Sequence, residues 1–293
     1  MASSDTQTTA VLGAGTMGAG IAYAAAAAGD RVYLYDLGAE QLERGRTTIE
    51  GILSGGVKRG KTSEEEAAAI RQRITCTTSL SEMGDASLVV EAVVERLDVK
   101  QALFSQLEEI VADSAILASN TSSLAITAIA GALKRPERVV GMHFFNPAHI
   151  MKLVEVIEGY RTSAETMERT SEHCRRMGKT PVRAKDTPGF IVNRVARNFY
   201  GEAFRIVGEG AATVEQVDRC MKAIGFRMGP FELMDMIGID VNLMVTQSVY
   251  AQYFNDARFR PHLIQQKMVE SGLLGKKSGG GFYRSEESGA KAE

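Results

Sequence analysis

Thr9-Ala10-Val11-Leu12-Gly13-Ala14-Gly15-Thr16-Met17-Gly18 is the stretch from which the rest of the chain is read. Ala10-Val11-Leu12 is a short apolar run, the next six residues satisfy GxGxxG, and an alanine-rich helical stretch continues to Ala28. Glycines at 13, 15 and 18 let a chain turn tightly, bring backbone N–H groups to a pyrophosphate and pack a helix against a strand. With 29 glycines in 293 residues, roughly 0.3 such matches arise by chance, so context must carry the reading. Here a strand precedes the glycines, a helix follows, and a second strand, Arg31 to Tyr35, ends at Asp36. That spacing suits a carboxylate accepting hydrogen bonds from the adenosine ribose hydroxyls and repelling a 2′-phosphate, which favours NAD over NADP. The plainer alternative for Asp36 is a turn aspartate closing a strand. Gly13, Gly15, Thr16, Met17, Gly18 and Asp36 are the cofactor-contacting candidates of this segment.

Outward from this βαβ unit, the signals keep alternating. A charged helical segment from Ala39 to Arg73 is interrupted near Ser54-Gly55-Gly56 and predicts a helical hairpin projecting from the sheet. Strands are expected at Ser87 to Glu91, Ala115 to Ser119, Val139 to Phe145, Lys152 to Glu158 and Pro181 to Ala184. Helices are expected at Leu97 to Ala112, Ile126 to Leu133 and Ala164 to Met177. After Asp186-Thr187-Pro188-Gly189 the strand signals stop, and helical stretches run from Phe190 to Glu209, Val214 to Ile224 and beyond Phe231. The expected organisation is an α/β Rossmann-type N-terminal domain over residues 1–187, with the hairpin at about 39–73 inserted, and an all-helical domain over 188–293. Met1 to Ala10 reads as a loose arm without signal- or transit-peptide character, and Ser285 to Glu293 as a disordered tail.

The composition bounds the function. Hydrophobic residues at 44% and charged residues at 24% are those of an ordinary globular chain long enough for two domains. A net charge of −2 provides no general basic field for nucleic acid or an anionic membrane. The apolar stretch Val11 to Ala28 carries four glycines and suits a buried strand and helix rather than a membrane span. Cys76, Cys174 and Cys220 are widely spaced, so neither a metal site nor a disulfide framework is expected, and a reducing, cytoplasmic setting fits. The alanine run 24–28 and the 13 methionines read as packing.

His143 ends the apolar run Val139-Val140-Gly141-Met142, and strand ends carry function in α/β folds. A lone histidine there is as readily structural as catalytic. Glu155, in Leu153-Val154-Glu155-Val156-Ile157, has apolar neighbours on both faces of its strand. A buried carboxylate needs a hydrogen-bond partner or a raised pKa, and His143 is the obvious partner. The alternative is an edge glutamate facing solvent.

With these residues in place, the chain resembles the 3-hydroxyacyl-CoA dehydrogenases, including 3-hydroxybutyryl-CoA dehydrogenases, over about Thr9 to Tyr283. Besides the glycine loop, the resemblance rests on Glu91 to Glu95 through Lys100, Ser119-Asn120-Thr121-Ser122-Ser123-Leu124, His143-Phe144-Phe145-Asn146-Pro147, Met151-Lys152-Leu153-Val154-Glu155, Asp186 to Arg194, and Met228-Gly229-Pro230-Phe231-Glu232. It implies NAD-dependent interconversion of (S)-3-hydroxyacyl-CoA and 3-ketoacyl-CoA in a cleft between the domains. His143 would be the general base and Glu155 its orienting partner, with Ser122 and Asn193 on the substrate oxygens. From the residues alone, Ser122 reads as a helix cap and Asn193 as a surface residue. The resemblance also implies Glu95, Lys100, Asn120, Ser122, Asn146 and Lys277 near NAD. It places Ser54 and Lys61 at the CoA moiety, with Lys58 or Arg59 neutralising phosphate, although such lysines can equally be a solvated face. A homodimer through the C-terminal domain is implied as well.

His149 departs from the resemblance, which suggests a small or apolar residue there; it could shape an acyl pocket or point to solvent. Two other readings stand beside the main one. The first is a dehydrogenase of a small hydroxy acid such as gulonate or carnitine. The second is a dinucleotide-binding protein without turnover, against which Ser122, His143, Glu155 and Asn193 argue.

Overall fold

A computed structural model describes residues 7–284, and the chain divides after Thr187 into two compact units. The first unit is built on an eight-stranded sheet in the order β3-β2-β1-β4-β5-β6-β7-β8. Its strands are β1 (Thr8–Leu12), β2 (Arg31–Tyr35), β3 (Ile74–Thr77), β4 (Leu88–Glu91), β5 (Ile116–Ser119), β6 (Val139–Phe144), β7 (Leu153–Glu158) and β8 (Thr180–Lys185). All neighbours are parallel except β6 and β7. After β1 the chain builds outward through β2 and β3, then returns to place β4 on the other side of β1. That reversal opens a crevice at the carboxyl ends of β1 and β4, where α/β sheets bind ligands.

Helices α1 (Thr16–Ala27), α2 (Ala39–Lys58), α3 (Glu64–Gln72), α4 (Leu97–Glu108), α5 (Ile126–Ala130) and α6 (Ala164–Arg176) complete this unit. Ala22, Ala25 and Ala26 of α1 are fully buried and Ala24 nearly so, so the alanine run is the face by which α1 approaches its neighbours closely. The result is an α/β Rossmann-type unit followed by a mostly helical one.

Three local expectations are corrected. The helical hairpin does not project: Leu42, Ile49 and Leu53 of α2 and Ala67 and Ile70 of α3 belong to the same core cluster as the sheet. Nor does α2 break at Ser54-Gly55-Gly56. It runs on to Lys58, because Gly56 lets the turn approach, a Cβ there lying 2.9 Å from Thr62 Oγ1; that close packing offsets glycine's roughly 1 kcal/mol helix penalty. The hairpin turns at 59–63 instead, where Ser63 and Glu66 form a reciprocal capping box for α3. Finally, Ile74–Thr77 forms β3, an edge strand too short and too polar to announce itself. Of the arm expected at residues 1–10, Thr8 to Ala10 already belong to β1, and the remainder before Gln7, like the tail from Ser285, lies outside the described residues.

The second unit contains α7 (Val192–Gly208), α8 (Val214–Ala223), α9 (Pro230–Ile237), α10 (Ile239–Gln252) and α11 (Leu263–Glu270). Its core gathers Tyr200, Phe204, Phe231 and Met234, with Phe282 edge-on to Phe231. Two buried aspartates tie its segments together. Asp218 accepts from the N–H groups of Phe231 and Glu232 and from the Tyr283 hydroxyl, and Asp235 accepts from the N–H groups of Phe282 and Tyr283. Among the described residues, no helix is long and apolar enough to cross a membrane.

Candidate active site

The glycine loop divides its labour among three residues. Gly13 turns the chain out of β1 with φ +98°, its N–H donating to Tyr35 O at 2.8 Å, and a Cβ there would lie 2.5 Å from Ala92 O. Gly18 lies against that turn, where a Cβ would lie 1.7 Å from Gly13 O. Gly15 is different, because a Cβ there would meet nothing within 4 Å. Packing therefore explains the first and third glycines but not the second, which stands exposed at the N-terminus of α1 with no side-chain cap. Bare backbone N–H groups at a helix N-terminus, with space above them, are what a pyrophosphate needs. Thr16 and Met17 open that first turn.

Asp36 closes the same crevice at the end of β2. One carboxylate oxygen accepts from Ala14 N at 2.8 Å and the other from Leu37 N at 2.8 Å. The side chain is thus both a clamp on the glycine loop and a half-buried acceptor with lone pairs left for ribose hydroxyls. This chain's own residues therefore fit NAD, on the open cradle at Gly15 and on the fixed carboxylate.

His143 and Glu155 face each other directly across the antiparallel β6–β7 pair. The His143 Nδ1 to Glu155 Oε2 distance is 2.8 Å, with the residues 6% and 1% exposed. Phe145 packs on the imidazole at 4.6 Å between centroids. The carboxylate fixes the tautomer: Nδ1 carries the proton and donates, so Nε2 is the basic nitrogen. Because β6 runs parallel to β5, His143 stands at the carboxyl edge of the sheet, the edge that also carries the glycine loop.

A second polar cluster lies under the loop after β5. Glu91, wholly buried at the end of β4, accepts from Lys100 Nζ (2.5 Å), Ser119 Oγ (2.6 Å) and Val93 N (2.7 Å). Lys100 is 1% exposed and also reaches Glu95 Oε2 at 3.2 Å. Glu95 accepts from the hydroxyls of Thr121 and Ser123 and from the N–H groups of Ser122 and Ser123. Burial opposes ionisation of Glu95, but Lys100 and these donors outweigh it and hold its carboxyl below the usual range. The turn's hydroxyl cap is Thr121, which accepts from Leu124 N at 2.8 Å; α5 begins only at Ile126, so Ser122 is not its cap. Asn120 Oδ1 accepts from Phe144 N at 2.8 Å and links this loop to the end of β6. Asn146 follows two residues later, exposed.

Glu91, Ser119 and Thr121 support the site although nothing in their local sequence marks Ser119 or Thr121 out. The signal for Glu91 was there: a carboxylate closing the apolar run Leu88-Val89-Val90, the same anomaly that singled out Glu155.

The remaining candidates are placed more loosely. Ser54 and Lys58 are exposed on α2 and Lys61 is exposed just beyond it. Lys61 lines a surface pocket of about 390 Å³ with Tyr23, Thr62, Glu66 and Arg73. His149 is half-buried with its ring edge against Tyr23 at 6.0 Å, rather than pointing to solvent. Burial and then the charges of Lys179 and Arg59 push its pKa down. Asn193 and Lys277 belong to the second unit; Asn193 is in the first turn of α7, and Lys277 Nζ pairs with Asp240 at 2.6 Å. Among the described residues, no group of three His, Cys, Asp or Glu side chains is arranged to hold a metal ion.

Fold and site define a dinucleotide-binding α/β protein with a histidine–carboxylate pair at the carboxyl edge of its sheet. The family model for the 3-hydroxyacyl-CoA dehydrogenase NAD binding domain matches residues 8–187, and that for the C-terminal domain matches 189–285. The chain belongs to the 3-hydroxyacyl-CoA dehydrogenase family. It is 50% identical over 278 residues to the 3-hydroxyadipyl-CoA dehydrogenase of Escherichia coli, spanning 94% of this chain but 58% of that protein. It is 45% identical to a protein of Deinococcus radiodurans named a probable 3-hydroxybutyryl-CoA dehydrogenase, covering 94% of this chain and 98% of that one. The crystal structure of 3-hydroxybutyryl-CoA dehydrogenase from Escherichia coli K12 superposes with a TM-score of 0.94 at 49% identity, over 99% of this chain and 61% of that one.

Proposed function

We propose that this chain is an NAD-dependent oxidoreductase interconverting (S)-3-hydroxyacyl-CoA and 3-ketoacyl-CoA, with 3-hydroxybutyryl-CoA as substrate. The observation that carries the reading is the buried His143–Glu155 pair, Nδ1 to Oε2 2.8 Å, at the sheet's carboxyl edge. Glu155 accepts the Nδ1 proton and so presents the Nε2 lone pair. Nε2 takes the proton of the substrate's 3-hydroxyl as the C3–O double bond forms, and Glu155 stabilises the resulting imidazolium. In the other direction the imidazolium returns that proton to the 3-keto oxygen. NAD, when bound, supplies the hydride acceptor.

Gly13, Gly15, Thr16, Met17 and Gly18 present the backbone to the pyrophosphate, and Asp36 receives the ribose hydroxyls. Ser122 and Asn193 contact the substrate oxygens, while Asn120, Asn146, Glu95 and Lys277 border the cofactor. The burial of Lys100 supports an indirect part for it, holding Glu95 and Glu91 in place. Ser54, Lys58 and Lys61 take the CoA moiety along the hairpin; the exposure of these residues and the cationic Lys61 and Arg73 beside one pocket support that reading. A homodimer through the helical unit is supported by exposed apolar side chains on successive turns of α9 and α10, Met236, Ile237, Val241 and Met244. A cytoplasmic setting completes the reading.

The experiment that tests it follows NADH absorbance with acetoacetyl-CoA, with 3-oxoadipyl-CoA and with NADPH in place of NADH. Rapid NADH oxidation by a 3-ketoacyl-CoA, lost in His143→Ala, is the expected result. Binding of NADH without oxidation by any 3-ketoacyl-CoA would overturn the thioester assignment.

A further inference from the structure

The second unit buries a guanidinium without an anion. Arg197 on α7 is 5% exposed. Its Nε donates to Asn193 O at 3.1 Å, and its Nη1 donates to Thr246 Oγ1 at 2.7 Å and Asn242 O at 2.9 Å. Every one of these acceptors is neutral, and the ring of Tyr200 lies 5.1 Å from the guanidinium carbon. Among the described residues, no carboxylate pairs with it. A buried cation is costly unless an anion answers it, and burial draws the pKa of Arg197 down to about 10.

The surroundings add donors rather than acceptors of charge. Arg197 and Thr246 line a cavity with Arg258, Arg260 and His262, and no Asp or Glu lines it. Arg258 is answered by Asp256 at 2.9 Å, whereas Arg260 has no ion-pair partner among the described residues. His262 Nδ1 accepts from Ile264 N at 3.3 Å, which leaves the ring's proton on Nε2 in the neutral tautomer. The cavity is small, about 10 Å³, on the scale of a single bound water or small ion.

We propose that this cavity is a binding site for a single monoatomic anion, chloride or bromide in size, which neutralises Arg197 and ties α7, α10 and the 257–262 segment together. The proposal is independent of the catalytic reading. A carboxylate reaching in from a second copy of the chain is the competing occupant.

The test is thermal unfolding of the full chain at constant ionic strength, with bromide exchanged for gluconate, which is too large to enter. The midpoint is expected to rise saturably with bromide, on the order of 2–4 °C. Arg197→Met removes the dependence, and Arg260→Gln, which leaves the buried hydrogen bonds intact, shifts the bromide midpoint upward several-fold. Bromide-soaked crystals should show an anomalous peak beside the Arg197 guanidinium. A response set by ionic strength whichever anion is used overturns the site, as does an Arg260→Gln variant with wild-type bromide dependence. A side-chain carboxylate of a second copy found in the cavity overturns it too.

Discussion

His143 and Glu155 are register partners on adjacent antiparallel strands, and the 2.8 Å contact between Nδ1 and Oε2 joins two side chains that are both more than nine-tenths buried. Neither strand can slip by one residue without turning one member to the opposite face of the sheet. The backbone ladder therefore holds the dyad. Replacing His143 by Ala is expected to lower turnover by about 10²–10⁴, with NADH affinity by fluorescence titration unchanged. Glu155→Gln should fall within the same range while leaving KM for the thioester close to wild type. Turnover within about twofold of wild type in either variant would remove the pair from the chemistry.

The three loop glycines should separate cleanly. Gly15→Ala introduces a methyl group with no neighbour within 4 Å, so the melting temperature should hold while the Kd for NADH rises at least about tenfold, a loss of about 1.4 kcal/mol. Gly18→Ala forces a Cβ to 1.7 Å from Gly13 O and should lower stability itself, by about 1–3 kcal/mol. Equal effects of both variants on stability would contradict a cradle open for phosphate.

Asp36 has two duties, and its replacement should show both. Asp36→Ala removes the acceptors of the Ala14 and Leu37 N–H groups, a loss of about 1–3 kcal/mol in urea unfolding. It also removes the ribose-binding carboxylate, so KM for NAD should rise and the preference for NAD over NADP should narrow. A stability loss with unchanged cofactor preference would leave only the clamp.

Lys100 is predicted to matter for stability more than its distance from the dyad suggests. Lys100→Met leaves Glu91, which is 0% exposed, without its cation, and the expected loss is about 3–5 kcal/mol. Adding Glu91→Gln should restore much of it, because a neutral amide can still accept from Ser119 and Val93. Denaturant midpoints of the single and double variants measure the difference, and simple additivity would argue against the coupling.

Acid sensitivity should be concentrated in α6. His173 is 5% exposed; burial, then Arg176 and Arg169, pushes its pKa down to about 4. The folded state therefore binds its proton later than the unfolded chain, where histidine titrates near 6.5. Its contribution to stability is complete above that value and is lost as pH falls from about 6.5 toward 4. At pH 4.5 the loss is about 2–3 kcal/mol. His173→Leu should flatten this part of the profile relative to wild type when melting is followed from pH 7 to 4.5.

Local periodicity made the first unit legible. The strand–glycine–helix stretch ending at Asp36 needs only short-range spacing to be recognised, and the apolar alternation around Glu155 showed a carboxylate that required a partner close in sequence. Elements with weak periodicity were lost for the same reason. Four residues at Ile74–Thr77, two of them threonines of which only Thr75 is exposed, carry too little pattern to mark an edge strand, and two glycines in α2 resemble a break until packing against Thr62 gives Gly56 its reason.

The α/β class, the change to helices after Pro188, the dinucleotide loop and the His143–Glu155 pairing are written in the amino-acid order alone, because each follows from residues a few positions apart or from strands joined by one short loop. That the hairpin lies on the core, that Thr121 rather than Ser122 closes the loop after β5, and that Arg197 is buried among neutral acceptors emerge from the folded chain. So does the meeting of Glu91 with Ser119, its register partner across the parallel β4–β5 pair, together with Lys100 from the intervening helix. Parallel neighbours are joined by a crossover, so their register is set by how the whole layer packs, and no spacing along the chain encodes it.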